Sequence, residues 1–311
     1  QIGDCNAFMW HFNPLIYRDQ LFAKQLLFSL QMSGMKVFPD FNTCWHFDDK
    51  IKQFYLLSSH GYPYTQSWIF WQKEKAYEWI QTARFPLIFK LKGGAGSSNV
   101  IKLDNIDEAK KMIKAMFGKG IKTGKIPLSK SIYKISLKER LINFMRVNVK
   151  GLIRYCKNKD MTPMWQKQKN YIIFQKYLPK NDHDTRITVI GKRAFGFRRI
   201  NRKDDFRASG SGNLDYNQKE INLECVKMAF QISKDFKFQS MAYDFLYNES
   251  GGIEICEISY SYQDKAIYNC PGYWDTELNW HNGHYLPQYC QLTDLLGKPT
   301  LKHPEHITFN H

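Results

Sequence analysis

The sequence predicts an α+β chain preceded by a partial α/β unit. Three observations carry this reading. Helical periodicity over 20–33 stops at Gly34 and hands over to a short apolar run. An apolar β run over 85–92 ends in a small-residue loop at 93–98, and the last third holds strand-like runs that turn on glycine, asparagine or lysine. With 311 residues, 43% of them hydrophobic and 15% aromatic, the chain can bury a core, so a disordered or low-complexity protein is excluded.

Taken in order, Asp4 to Phe12 reads as a strand end, 20–33 as a helix and Met35 to Pro39 as a short strand. This is half of a doubly wound unit, and the reading is of a chain that starts inside it, with an N-terminal portion missing. A helix from Lys50 to about His60 follows, then a strand near Ser67 to Phe70 and a helix over Lys73 to Thr82. Phe85 to Lys92 is an apolar β run that enters the Gly93 to Ser98 loop, and Asp107 to Phe117 reads as a helix. Tyr171 to Leu178, Arg186 to Ile190 and Arg193 to Arg198 are strands, the last two turning at Gly191-Lys192. Leu223 to Lys234 is a helix, and Ser240 to Leu246 and Gly252 to Ile258 form a strand pair. The division expected is 1–60, 61–170, 171–275 and a C-terminal tail at 276–311.

Lysine and arginine number 45 against 29 acids, a net charge of +16. Twelve of those bases and one acid, Glu139, lie between Lys119 and Lys159, so most of the excess is one segment. Within it Ser136 to Cys156 reads as a basic amphipathic helix, which is either a solvated helix on its own domain or an attractor of an anionic partner. Nucleic acid ranks last among such partners, since no RNA- or DNA-binding motif accompanies the charge. No apolar run approaches the roughly 20 residues that span a bilayer, and no signal-peptide pattern opens the chain. Seven scattered cysteines without a C-x-x-C pair argue for a reducing compartment, read as the cytoplasm.

Three features carry chemistry. Lys90 closes an apolar strand beside the small-residue loop, where a cation and unobstructed N–H groups suit polyphosphate; a surface lysine on an edge strand is the alternative. Asp244 and Glu257 lie on adjacent strands and suit Mg²⁺, or pair with cations. Strict alternation puts Ile253, Ile255, Glu257 and Ser259 on one face. Asp184-Thr-Arg186, Arg198-Arg199 and Asp205 to Gly212 gather arginines beside another small-residue loop, fitted to phosphoryl oxygens or forming a solvated basic hairpin. His281 and His284, with His303, His306 and His311 in the tail, are a weak metal pattern, and Trp274, Trp280, Tyr260, Tyr262 and Tyr273 read as core or as an acceptor wall.

In this order the features resemble the ATP-grasp superfamily, in the branch of ribosomal-protein glutamate ligases and related carboxylate-amine ligases, over about Asp49 to Tyr262. The resemblance implies an ATP-grasp fold, two α+β subdomains clasping ATP, after a partial pre-ATP-grasp domain. It implies that Lys90 and the loop bearing Gly93, Gly94, Gly96, Ser97 and Ser98 hold ATP phosphates. Gln175, Lys176, Tyr177 and Leu178 would form the adenine edge, and Asp184 a ribose-side or phosphate-side acid. Asp205-Phe-Arg207-Ala-Ser209 is similar to a D-F-R-x-N segment, and Asp244 with Glu257-Ile-Ser259 to a metal-binding D…E-x-N set. Serine at 209 and 259 departs from the asparagine usual there.

The activity implied is an ATP- and Mg²⁺-dependent ligase that makes an amide through an acyl phosphate. Arg207, helped by Arg199 and Arg186, would stabilise the transferring phosphoryl group. Trp45 to Lys50, Gly94 to Asn99, Asp205 to Gly212 and Pro271 to Trp274 are similar to ATP-grasp proteins of surface-polysaccharide biosynthesis. The partners implied are a small-molecule or glycan acid and an amine, with peripheral contact to an anionic membrane or lipid-linked glycan through the basic segment. A non-catalytic ATP-binding or membrane-adaptor module on the same fold is the alternative.

Overall fold

Gly34 ends the first helix, Tyr17–Met32, at φ 86°, a left-handed conformation that side chains resist. The strands on either side of that helix, Ala7–Met9 and Lys36–Phe38, pair in parallel with Ala7 opposite Lys36. A helix crossing between parallel strands is the half-unit expected from the sequence. This is a computed structural model, and it describes residues 4–13, 16–93, 100–122, 167–202, 205–208, 210–298 and 301. The predicted amphipathic helix at 136–156 and all of the basic segment except Lys119 and Lys122 lie outside the described residues. So do His303, His306 and His311.

Asp49 starts the next helix, Lys50–Ser58, by accepting from the N–H groups of Ile51 and Lys52 at 3.1 and 3.2 Å. Beyond it a four-stranded antiparallel sheet runs in the order Ser67–Phe70, Ile172–Lys176, Leu87–Lys90, Val100–Leu103. The helices Lys73–Trp79 and Ile106–Met116 cover it, and Leu87, Phe89, Leu103, Met112, Ile113 and Phe174 make their shared core. Alternation explains which strand face is apolar.

A seven-stranded sheet forms the second layer. Its path is Ile253–Ser259, Ser240–Tyr247, His183–Ile190, Arg193–Ile200, Gly272–Trp274, Trp280–Asn282, with Leu214–Asp215 beside Arg193–Ile200. The helix Leu223–Asp235 packs on it, and Val226, Ala229, Ile232, Tyr243 and Phe245 share a core with Phe12, Leu27 and Val37 of the N-terminal unit. The N-terminal unit and the second sheet are therefore packed as one body.

Two expectations change. Strict alternation fails on Ile253–Ser259, because a bulge between Asp244 and Phe245 pairs Asp244 with Glu257 but Phe245 with Ile255. Ile255 therefore joins the core while Glu257 lines a cleft. The stretch expected as a tail instead holds the strand Trp280–Asn282 and the helix Pro287–Leu296, which packs on Lys36–Phe38 through contacts such as Lys36 Nζ to the Leu296 carbonyl at 3.4 Å. Pro287 in its first turn and Gly297 at φ 65° after its end are the signals that mark it.

His46 is buried between the rings of Trp45 and Phe238, and neither ring nitrogen has a hydrogen-bond partner. Burial, with the charges of Lys24 and Lys52, pushes its pKa down to about 3. A histidine kept neutral when folded and protonated when unfolded removes stability as pH falls from the ordinary histidine range towards that value, at up to about 1.4 kcal/mol per pH unit. The thermal midpoint is expected to drop over that window, and His46→Phe to flatten the drop; equal slopes in both proteins would exclude His46 as the cause.

Candidate functional site

A cleft opens between the two sheets, lined by Lys50, Lys90, Arg199, Arg207, Asp244 and Glu257 among others. The first sheet supplies Lys90 at the end of Leu87–Lys90, where it sits opposite Val100 and Ile173. Burial lowers the Lys90 pKa, and the nearby Lys50 charge adds to that, while Glu257 and Asp244 oppose it. Among the described residues no carboxylate lies within 4.0 Å of its ammonium. It is a half-buried cation without a counter-charge in contact.

The last residues of Ile172–Lys176 and the two that follow line the same cleft. The Gln175 amide donates to Ser67 Oγ at 3.1 Å and is buried, Leu178 is buried, and Lys176 is exposed. The Phe206 ring meets Tyr177 edge-on at 5.9 Å. Arg207 extends from the next loop, held by Asp205 through Nε at 2.8 Å and Nη2 at 2.7 Å. A Cβ on Gly93 would lie 3.0 Å from the Asp48 carboxylate, so the loop leaves the strand where only a small residue passes easily. Gly94, Gly96, Ser97, Ser98 and Ser209 lie outside the described residues.

The second sheet supplies a buried network of charges. Asp184 and Arg199 are register partners, as are Asp244 and Arg186. Arg199 grips Asp184 through Nε and Nη2, both at 2.6 Å, and Nη2 reaches Asp244 at 2.7 Å. Arg186 grips the same Asp244 at 2.6 and 2.7 Å. Burial works against ionised Asp244, yet the two guanidinium groups hold its pKa well below the usual carboxylate range. Burial raises that of Asp184, with Arg199 opposing.

These contacts place several expected residues differently. Asp244 accepts three charge-assisted bonds, so its lone pairs face arginines rather than an open metal position. The Ser259 hydroxyl donates to the Ser261 carbonyl at 2.7 Å and does not line the cleft. Arg186 and Arg199 are spent on buried carboxylates, and Arg207, which lines the cleft, is paired with Asp205 beside it in the chain. Among the described residues no group of three or more His, Cys, Asp or Glu is arranged to hold a metal. His281 bonds Asp275 at 2.7 Å and His284 the Tyr268 carbonyl at 2.7 Å, and Trp274 packs on Trp280, at the sheet edge away from Asp244.

The sequence reading passed over Lys50. Its ammonium pairs with Glu257 Oε1 at 3.1 Å, and although burial opposes its charge, Glu257 and Asp48 hold its pKa above the ordinary lysine value. Asp49 as helix cap fixes Lys50 in the first turn, a signal that lay in the Trp45 to Lys50 run. Glu257 lines the cleft beside Lys50. A carboxylate in a cleft that also holds Lys50 and Lys90 fits a Mg²⁺ ion that arrives with nucleotide, since Mg²⁺ commonly takes one or two carboxylates plus phosphates and waters.

No protein-family model matches the chain, and no curated protein matches its sequence. Solved structures do match. The chain is similar to the ATP-grasp ligase PsnB complexed with precursor peptide PsnA2 and AMPPNP, at 14% identity over 90% of this chain and 68% of that one, TM-score 0.51. It is similar to the biotin carboxylase domain of Hydrogenobacter thermophilus 2-oxoglutarate carboxylase in complex with MgADP, at 12% identity over 98% and 57%, TM-score 0.55. N5-carboxyaminoimidazole ribonucleotide synthetase from Thermotoga maritima matches at 11% identity over 87% and 56%, TM-score 0.51. The chain has the ATP-grasp fold. No helix among the described residues is long and apolar enough to cross a membrane.

Replacing Arg199 with Met strands one buried carboxylate and weakens the hold on a second, so folding stability is expected to fall by about 3–5 kcal/mol. The urea unfolding midpoint measures this. A change under about 1 kcal/mol would mean the arginine does not anchor the network.

Proposed function

We propose that the chain is an ATP-dependent ligase that joins a carboxylate to an amine through an acyl phosphate. The observation that carries this reading is Lys90: a cation with no carboxylate in contact among the described residues, in a cleft that also holds Lys50, Arg207 and the strand end at 175–178. Such a cleft asks for a polyanion with an apolar end. A nucleoside triphosphate supplies both.

In this reading Lys90, Lys50 and the loop from Gly93 to Ser98 hold the polyphosphate, and Gln175 to Leu178 hold the base. Arg207 faces the phosphoryl group in transfer, and Ser209 would contact the nucleotide. Arg199 and Arg186 act by fixing Asp184 and Asp244, which makes them positioning residues. A substrate carboxylate oxygen attacks the γ-phosphorus and ADP leaves; the amine nitrogen then attacks the acyl carbon, phosphate leaves and the amine gives up a proton. Positioned cations lower the barrier because they are already aimed where negative charge gathers. Mg²⁺ with the nucleotide would be held by Glu257 and would neutralise phosphate charge.

For the acceptor we carry forward a sugar acid or amino acid of surface-polysaccharide biosynthesis, supported by the motif likeness at 271–274 and the basic segment at 119–159. The same charge supports peripheral contact with an anionic membrane or lipid-linked glycan. A second reading, a nucleotide-binding module without turnover, is favoured by the saturated Asp244 and the withdrawn Ser259. ADP release that requires both an acid and an amine separates the two.

With ADP at about a hundred times its Kd, the native protein should gain about 2.7 kcal/mol of stability. Lys90→Ala is expected to lose that thermal shift, and an unchanged shift would remove Lys90 from the site. Arg207→Ala is expected to lower kcat by about 10²-fold or more while the protein stays folded. Steady-state turnover of ATP measures it; an unaltered rate would contradict the role given to this arginine.

A further inference from the structure

A second cationic cluster lies outside the cleft, where the N-terminal helix meets the start of Lys50–Ser58. Lys24 donates to the Trp45 carbonyl at 3.2 Å and the Phe47 carbonyl at 3.3 Å, and Lys52 donates to the same Trp45 carbonyl at 3.3 Å. Two ammonium groups thus converge on one oxygen, and their charges can be no further apart than twice that distance. Each ammonium carries three N–H donors, so half of the six have no protein acceptor among the described residues. No carboxylate lies within 4.0 Å of either group among those residues, and Asp49 is occupied capping its own helix.

The surroundings favour an anion there. Both lysines are half-buried, which weakens the screening that lets surface lysines sit close together. Lys52 also lies 5.8 Å from the Trp45 ring centroid, which fixes its stem. Behind them His46 is wholly buried with both ring nitrogens unpartnered, near enough for the two charges to act on it. Hydrogen bonds to carbonyls satisfy some of the donors, and Asp48 and Asp49 act on Lys24 only from beyond contact, so the two positive charges have no contacting counter-charge among the described residues.

We propose that Lys24 and Lys52 form an oxyanion-binding site that takes a carboxylate or phosphate group. It is distinct from the nucleotide cleft, since neither lysine lines it. It stands beside the mouth: the Lys50 N–H, two residues before Lys52, donates to the Lys92 carbonyl at 2.8 Å, next to the Gly93 turn.

The test uses the whole chain with ADP saturating the cleft and NaCl holding ionic strength constant. Inorganic phosphate and citrate are titrated separately, and the thermal midpoint and the His46 ring signals in an NMR spectrum are followed. A saturable response in both readouts is expected, at least tenfold weaker in Lys24→Met and Lys52→Met, which keep the shift produced by ADP. Tighter phosphate marks a phosphoryl ligand, and tighter citrate a carboxylate. His46 signals that ignore both anions, or responses equal in native protein and variants, overturn the site. If the variants do not fold, the His46 signals of the native protein decide. A native protein that does not respond to ADP defeats the nucleotide reading, while the His46 signals still decide this one.

Discussion

The structure of the cleft depends on Arg199 bridging two buried carboxylates on neighbouring strands. Removing two aspartates and two guanidinium groups from water costs several kcal/mol per ion, and only near-ideal geometry offsets it. Register supplies that geometry: Asp184 stands opposite Arg199 and Arg186 opposite Asp244, so each pair meets across a single ladder step. Arg199 then ties the pairs together. The three strands that carry them must keep this register, or a one-residue slip would send the charges into the apolar core on the other face.

That rigidity divides the labour in the cleft. The second sheet offers charges already committed to one another, whereas the first sheet presents Lys90 at the end of an inner strand, with no carboxylate in contact among the described residues. Lys50 and Glu257 stand between, one ion pair joining a helix N-terminus to the strand beside Asp244. A polyanion entering here meets little cost on the first-sheet side, because among the described residues it displaces no carboxylate from Lys90. On the other side it meets carboxylates whose charge is masked by arginine.

Much of the fold was legible in the sequence. The helix stop at Gly34, the capping Asp49, the apolar run into Lys90 and the hairpin at Gly191-Lys192 all follow local rules, and each element stands within a few residues of expectation. The failures share a different cause. The bulge at Asp244 exists only once two strands pair, so alternation along one strand misplaced Ile255 relative to Glu257. Arg186 and Arg199 were read as phosphate ligands because their acidic partners lie on other strands, and Lys50 was missed because Glu257 is remote in sequence. Pairing across distance is what one chain's local pattern does not encode.

The strand Ile253–Ser259 ends the seven-stranded sheet, so one row of its backbone groups has no sheet neighbour. The segment before the first sheet covers part of that row: the Ile255 N–H donates to the Pro63 carbonyl at 2.7 Å, and the Thr65 N–H donates to the Ile255 carbonyl at 2.8 Å. Exposed strand edges invite pairing with other chains. Here the segment that leads from the helix Lys50–Ser58 into the first sheet also occupies the middle of the edge, so the same few residues that start one sheet keep a foreign strand from extending the other beside Glu257.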